Sequence, residues 1–324
     1  MNSKVTIVMY HYVRDFKNSK YPEIKGLDVS LFKEQIKYFK KHYNIITMEA
    51  LIKAVNEQTT LPHKSLLLTF DDGYIDHYTC VFPVLVENGI QGSFYPPVKA
   101  ITEHKVLDVN KIHFILAASG NTKILLKSVY KLLDYYRSEY NLNSNLYYHN
   151  KLAKSNRFDT SETILIKRLL QVELPEKLRS IIIDSLFEEY IAISENSFSR
   201  ELYLTIDQIK TMKHFGMHFG SHGFSHYWLN SLPKEEQEQE ITKSKFFLLS
   251  IGVDENLLTM AYPYGGYNEE TLALLSTNNF KLALTTNVNV ADICTENKFS
   301  LSRLDVNDLP KNQFHDSNVW YLAG

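Results

Sequence analysis

Short apolar runs alternate along this chain with amphipathic stretches of helical period, the order that repeated βα units and a mainly parallel sheet produce. Val5 to Tyr10 predicts the first strand. Phe32, Ile36, Phe39 and Tyr43 recur at helical spacing and place a helix over Leu31 to His42, with another over Met48 to Asn56. Ser65 to Thr69 predicts a buried strand that delivers Asp71 and Asp72. Tyr78 to Glu87 follows as a helix with Pro83 inside it, then a strand over Gly92 to Tyr95. The rhythm resumes at Thr205, an N-cap with Gln208 three residues on and Gly216 past the helix end. Strand Met217 to Ser221, a charged helix opened by Ser231 and Pro233, strand Leu258 to Ala261, helix Glu269 to Asn278, and strands Leu282 to Thr285 and Ser300 to Leu304 complete it.

Between about Lys105 and Arg200 the segments Ile112 to Ala118, Thr122 to Tyr140, Thr160 to Leu170 and Pro175 to Ile193 all predict helices with no strand between them. The expected architecture is therefore a single α/β domain over 1–324, a distorted (β/α) barrel carrying a helical insertion at 105–200. A formal net charge of -2 gives no reason to expect a polyanion-binding surface, so nucleic acid is not an expected partner. No segment offers the roughly 18 consecutive apolar residues of a spanning helix. Met1 to Lys4 run directly into Val5 to Tyr10, too short for a signal core, and a cytoplasmic location is expected. Cys80 and Cys294 form no ligand pattern and are expected as two buried thiols.

Chemistry concentrates where two predicted strands run out. Thr69-Phe70-Asp71-Asp72-Gly73-Tyr74 supplies adjacent carboxylates, which repel unless a cation or a proton neutralises one of them. Ser221-His222-Gly223-Phe224-Ser225-His226 supplies imidazoles four residues apart, able to converge on one ion from a helix face or a loop. Two neutral imidazoles and a carboxylate for a divalent metal, with a second carboxylate as base, are the equipment of metal-assisted hydrolysis. Zinc is the expected ion, although cobalt, nickel or iron suit the same ligand types.

These motifs resemble the polysaccharide deacetylase family, also called the NodB homology domain or carbohydrate esterase family 4. Thr69 to Gly73 matches its first motif, and His222 and His226 match its His-Ser/Thr-x-x-His with Gly223 in the Ser/Thr place. Ala261-Tyr262-Pro263-Tyr264-Gly265 retains the Pro-Tyr-Gly of its third. The resemblance implies that Asp72, His222 and His226 hold the metal, that Asp71 is the general base, and that the Tyr264 backbone N–H stabilises a tetrahedral oxyanion. The arginine that opens the third motif in the family is Ala261 here, and its late Leu-x-His is absent. A subset of the family has an N-terminal Tyr/Phe-His; Tyr10-His11-Tyr12 resembles it and makes His11 the candidate general acid, with His315 a weaker one. Arg303, flanked by Leu301 and Leu304, is the candidate replacement for the missing arginine, and Asp305 a candidate to orient His11.

Of the aromatics near the motifs, Phe94, Tyr95, Tyr227, Trp228 and Tyr267, Trp228 is the candidate pocket wall. Tyr147-Tyr148-His149 and Arg157-Phe158-Asp159 in the insertion are candidates for covering the cleft or contacting a carrier, against a plain packing role. The expected activity is removal of an N-acyl group, N-acetyl first, from an amino sugar of surface polysaccharide biosynthesis, free or on a nucleotide- or lipid-linked intermediate. The rivals are an N-deformylase using the same groups and a carbohydrate-binding or scaffold protein without turnover.

Overall fold

The computed structural model describes residues 3–155 and 159–324. They form two compact units: the first comprises 1–15, 25–105 and 199–324, the second 16–24 and 106–198.

In the first unit seven parallel strands follow one another around a ring in chain order. They are β1 (Lys4–Tyr10), β2 (Ser65–Asp71), β3 (Ser93–Tyr95), β4 (His218–Phe219), β5 (Thr259–Ala261), β6 (Leu282–Val288) and β7 (Leu301–Asp305). Each pairs with the next, and β7 returns to β1. Beyond β4 the Ser221 N–H donates to the Thr259 carbonyl at 2.8 Å, and the Ser221 carbonyl accepts from Ala261 at 2.9 Å. That one bridge brings β4 to β5 and makes the ring a nearly closed barrel. All the strands predicted for this unit are present, β3 and β5 starting one residue late, β4 shortened at both ends and β2 and β6 running longer, and the distorted barrel expected from the βα rhythm is the fold.

Strand alternation assigns the two faces. Register pairs Tyr10 with Phe70, Phe70 with Phe94 and Phe94 with Phe219, and their rings stack side by side at 4.8, 4.8 and 5.5 Å. This aromatic row lies under the helix Val29–His42, where Phe32 meets Tyr10 edge-on and Gln35 accepts the Tyr10 hydroxyl. Thr69 and Asp71, on the opposite face of β2, consequently point into the barrel.

Pro83 is accommodated by a break. A wide π turn over His77–Val81 precedes a new helix at Phe82–Asn88, so the proline falls in a first turn that needs no N–H. The Thr205–Gln208 capping box forms, with Gly216 in the left-handed region beyond the helix end.

The second unit is helical, and 16–24 joins it from outside the expected 105–200 stretch. Its helices include Asp108–Ala118, Thr122–Tyr136, Ser161–Arg168 and Glu176–Ile191, as anticipated, and also Asn145–Leu152, which sequence reading passed over because a two-turn helix with Tyr148 alone buried leaves no periodic apolar signal. Tyr148 is buried within this unit while Tyr147 and His149 are exposed. Arg157 and Phe158 lie outside the described residues, and Asp159 pairs with Lys167 at 2.8 Å. Cys80 and Cys294 are free thiols, but they are not buried as expected: Cys80 is half-covered, and Cys294 sits exposed in the turn after Ala291–Asp292. Among the described residues no helix is long and apolar enough to cross a membrane.

Candidate active site

Asp71 is the last residue of β2 and Asp72 the first beyond it. The Asp72 N–H still donates to the Tyr95 carbonyl at 3.1 Å, but its φ of +73° turns the chain sharply, and Gly73 continues the turn at +63°. A Cβ on Gly73 would lie 2.7 Å from that of Pro96, so this position needs glycine for space as well as for conformation. Successive side chains are thereby aimed differently, Asp71 inward and Asp72 toward the end of β4.

Asp71 meets Arg303. The Arg303 Nη1 donates to Asp71 Oδ1 at 3.0 Å and to the Thr69 hydroxyl at 3.2 Å, while Nη2 stands 2.8 Å from Asp71 Oδ2. Both residues are 1% exposed. Because β1 lies between β2 and β7, the guanidinium reaches Asp71 across the barrel interior. The β6–β7 register shifts between Leu301 and Arg303, and in that irregular stretch the Thr285 carbonyl accepts from Arg303 Nε at 2.8 Å. Ala261, which stands where the family's arginine would be, is fully buried in the apolar core. Burial by itself would raise the Asp71 carboxyl, but the Arg303 and His222 charges outweigh it and hold the group below its ordinary range.

The histidines come from a loop. Glu240, on the helix Lys234–Ser250, presents one buried carboxylate oxygen to the N–H groups of Phe224 and Ser225 at 2.9 and 2.7 Å. The carbonyl of Gly223 accepts from Val98 and that of Phe224 from Lys99, fastening the loop from the other side. Gly223 has φ +72°, a conformation that the family's Ser or Thr would adopt only with strain. His222 donates from Nδ1 to the Ala261 carbonyl at 2.6 Å, which fixes its tautomer and leaves the Nε2 lone pair facing Asp72. His226 is itself left-handed at φ +62°. The Nε2 atoms of His222 and His226 stand 3.4 and 3.2 Å from Asp72 Oδ1.

That oxygen is buried and no donor among the described residues reaches it with hydrogen-bond geometry, although burying a carboxylate oxygen unpaired is costly. Ligands about 2.1 Å from a tetrahedral ion are separated by roughly 3.4 Å, so the two N···O spacings are those an ion between them would set. Asp72, His222 and His226 form a cluster whose donor atoms lie within 4.8 Å of one another. The donor set fits a divalent transition metal. Burial would raise the Asp72 carboxyl, but the two imidazoles beside it hold it well below its usual range. Burial pushes the His226 imidazole down, toward the neutral form that binds metal.

His11, half-buried at the end of β1, lies near enough for its charge to act on Asp71, Asp72 and His226. Its carbonyl accepts from Nε2 of His77, a residue sequence reading did not single out. His77 is fully buried in the π turn, and burial pushes it down to about 4, so it stays neutral. Tyr264 is the third strained residue, at φ +56°, and its ring packs 4.7 Å from His226 and 4.6 Å from Trp228 in a parallel stack. Trp228 remains 37% exposed at the edge of the site. Phe94 and Tyr95 are core residues, and Tyr267 stacks on Tyr262. Asp305 caps the Val306–Asp308 turn through the Asn307 N–H, and His315 stays on the exposed tail against the Asp316 carbonyl. Glu240, Tyr74 and His77 went unassigned in the sequence because their partners are distant in the chain or are backbone groups.

A sequence model described as polysaccharide deacetylase matches residues 182–283, a stretch that holds His222, His226 and the Pro263–Gly265 turn. Bacillus subtilis YxkH, which carries the name polysaccharide deacetylase provisionally, is 31% identical over 90 residues, 28% of this chain; the match spans about a third (32%) of its own length. The Streptococcus pyogenes deacetylase PplD, solved in complex with acetate, superposes with a TM-score of 0.59 at 20% identity, covering 94% of this chain and 93% of its own. IcaB from Ammonifex degensii gives a TM-score of 0.54 at 16% identity, with the same coverage of 94% and 93%.

Proposed function

We propose that this chain, whose residues 182–283 match the polysaccharide deacetylase model, is a deacetylase of that family and hydrolyses the N-acyl group, N-acetyl first, of an amino sugar in surface polysaccharide assembly. We assign the first unit as its catalytic body and the second as a helical insertion. The observation that carries the reading is Asp72 Oδ1, buried without a donor between two imidazole nitrogens and one residue from an arginine-held carboxylate.

Asp72, His222 and His226 would hold the ion, zinc by preference, and such an ion supplies Lewis acidity toward water and the acyl oxygen. Asp71, kept anionic by Arg303, accepts the proton that the attacking water gives up. Arg303 takes no proton; its fork fixes both carboxylate oxygens. The Tyr264 backbone N–H, set by the left-handed turn and the Trp228 stack, donates to the charge developing on the acyl oxygen. His11, in the manner of the N-terminal-histidine subset, gives a proton to the departing amine.

The test is release of acetate and formate from N-acetyl and N-formyl glucosamine oligomers by the zinc-loaded full chain. Acetate release abolished in Asp71→Asn is the expected result. A clear formyl preference overturns the acetyl assignment, and stoichiometric zinc binding without hydrolysis of any acylated sugar overturns catalysis in favour of a binding protein.

A further inference from the structure

The two oxygens of Asp72 are used differently. Oδ1 faces His222 and His226, whereas Oδ2 accepts the Tyr74 hydroxyl at 2.5 Å, the length of a charge-assisted O–H···O bond. Tyr74 is fully buried and cannot swing away. Its ring lies between Tyr12 at 3.9 Å and Tyr203 at 6.2 Å, all three nearly parallel, and its backbone bridges to that of Tyr203.

The Tyr12 hydroxyl is hydrogen-bonded to that of Tyr74. A phenol has one proton, and Tyr74 spends its own on the carboxylate, so Tyr12 donates to the Tyr74 oxygen. Two phenols donating in sequence toward an anion polarise one another in the same direction. The column is anchored at its far end, where the Arg14 guanidinium stands 4.8 Å over the Tyr12 ring and is paired with Asp76 at 2.6 Å. Tyr12 also follows His11 directly, which ties the column to the end of β1.

We propose that Tyr74, steadied by Tyr12, is the positioning residue of the metal-holding carboxylate: it occupies Oδ2, so that Asp72 offers Oδ1 alone to an ion shared with His222 and His226. The inference rests on the metal reading given above. Without the phenol, Asp72 is free to rotate or to offer both oxygens, and the single-oxygen geometry set by the two imidazoles is lost. Tyr74→Phe keeps the ring stack and removes only the hydroxyl, the donor to Asp72 and the acceptor of Tyr12.

Zinc affinity of the full-length protein, measured by competition with a chromogenic chelator, tests this for wild type, Tyr74→Phe, Tyr12→Phe, the double variant and Asp72→Asn. The unfolding midpoint of each metal-free protein is followed alongside. Tyr74→Phe is expected to weaken zinc binding about 10- to 100-fold, the usual scale for losing an outer-shell partner, in a metal-free protein that still folds with a lowered midpoint, because Asp72 Oδ2 is left buried and unpaired. Tyr12→Phe loses less, and the double variant is no worse than Tyr74→Phe, because Tyr12 acts only through Tyr74. Affinity of Tyr74→Phe within two-fold of wild type, while Asp72→Asn has lost binding, overturns the proposal and leaves the metal reading standing. Should Tyr74→Phe fail to fold, wild-type affinity in Tyr12→Phe overturns it. Absence of zinc binding by wild type removes the metal reading and this inference with it.

Discussion

Replacing Arg303 by Met leaves Asp71 as a buried carboxylate with its principal counter-charge gone. In the native barrel the pair is 1% exposed on each side, closed at 2.8 and 3.0 Å, with Nε committed to the Thr285 carbonyl. Removing one partner from such a pair costs roughly 3–5 kcal/mol, a large part of the approximately 5–15 kcal/mol that holds a domain folded. Asp71→Asn in the same background abolishes the stranded charge, so the double variant should recover part of the loss, with a coupling of about 2 kcal/mol or more. The pH dependence has a definite sign. Wild-type Asp71 is held below its ordinary range, so its contribution is present above the unfolded carboxyl value and is lost as pH falls through the folded one. In Arg303→Met only the neighbouring histidines still oppose burial and the folded value rises, so the stability lost relative to wild type grows as pH rises through the carboxyl range. The deficit against wild type is therefore widest near neutral pH and narrows toward about pH 4. The assay is urea unfolding read by tryptophan fluorescence, since both tryptophans, Trp228 and Trp320, belong to the first unit and report it selectively. A single variant within about 0.5 kcal/mol of wild type at pH 7, or a double variant no more stable than the single, would refute the claim that Asp71 is ionised and held by Arg303.

Removing metal with a chelator should abolish deacylation and lower the unfolding midpoint, with zinc restoring both. Because His222 and His226 must release protons to bind an ion, zinc affinity should fall steeply as pH drops through the histidine range; affinity flat from pH 5 to 8 would contradict the ligand assignment. Glu240→Ala removes an acceptor shared by two backbone N–H groups, each such charged bond contributing about 1.5–3 kcal/mol; zinc binding should weaken by at least tenfold, and unchanged affinity would show that the loop holds its shape unaided.

β1 and β2 were legible because they are buried on both faces along most of their length and read as mostly apolar runs; all seven residues of β2, Ser65–Asp71, are buried. The carboxylate pair and the histidine pair were legible because the chemistry dictates residue type and local spacing. Less legible was anything fixed by a partner far along the chain. Glu240 looks like one acid among several on a charged helix, and only folding sets it against the amides of Phe224 and Ser225. Tyr74 lies inside a quoted motif, yet its function depends on which carboxylate oxygen it meets, which no spacing encodes. The π turn at His77 was hidden because Pro83 signals a broken helix without saying how the break is absorbed.

The exchange of arginine between Ala261 and Arg303 has a topological reason. Thr69 and Asp71 point into a barrel interior, and the interior is shared by every strand, so the guanidinium can be delivered from any strand whose inward position lies at the same height. Ala261 on β5 and Arg303 on β7 flank β6, and the register shift beside Arg303 sets its Nε against a β6 carbonyl while its fork reaches β2. A small residue at 261 then follows from packing: it is fully buried among Leu284, Leu301 and Tyr95 in the apolar core. Moving the arginine back, as Ala261→Arg with Arg303→Ala, should therefore fail to restore activity to the Arg303→Ala background, because the volume at 261 is already filled.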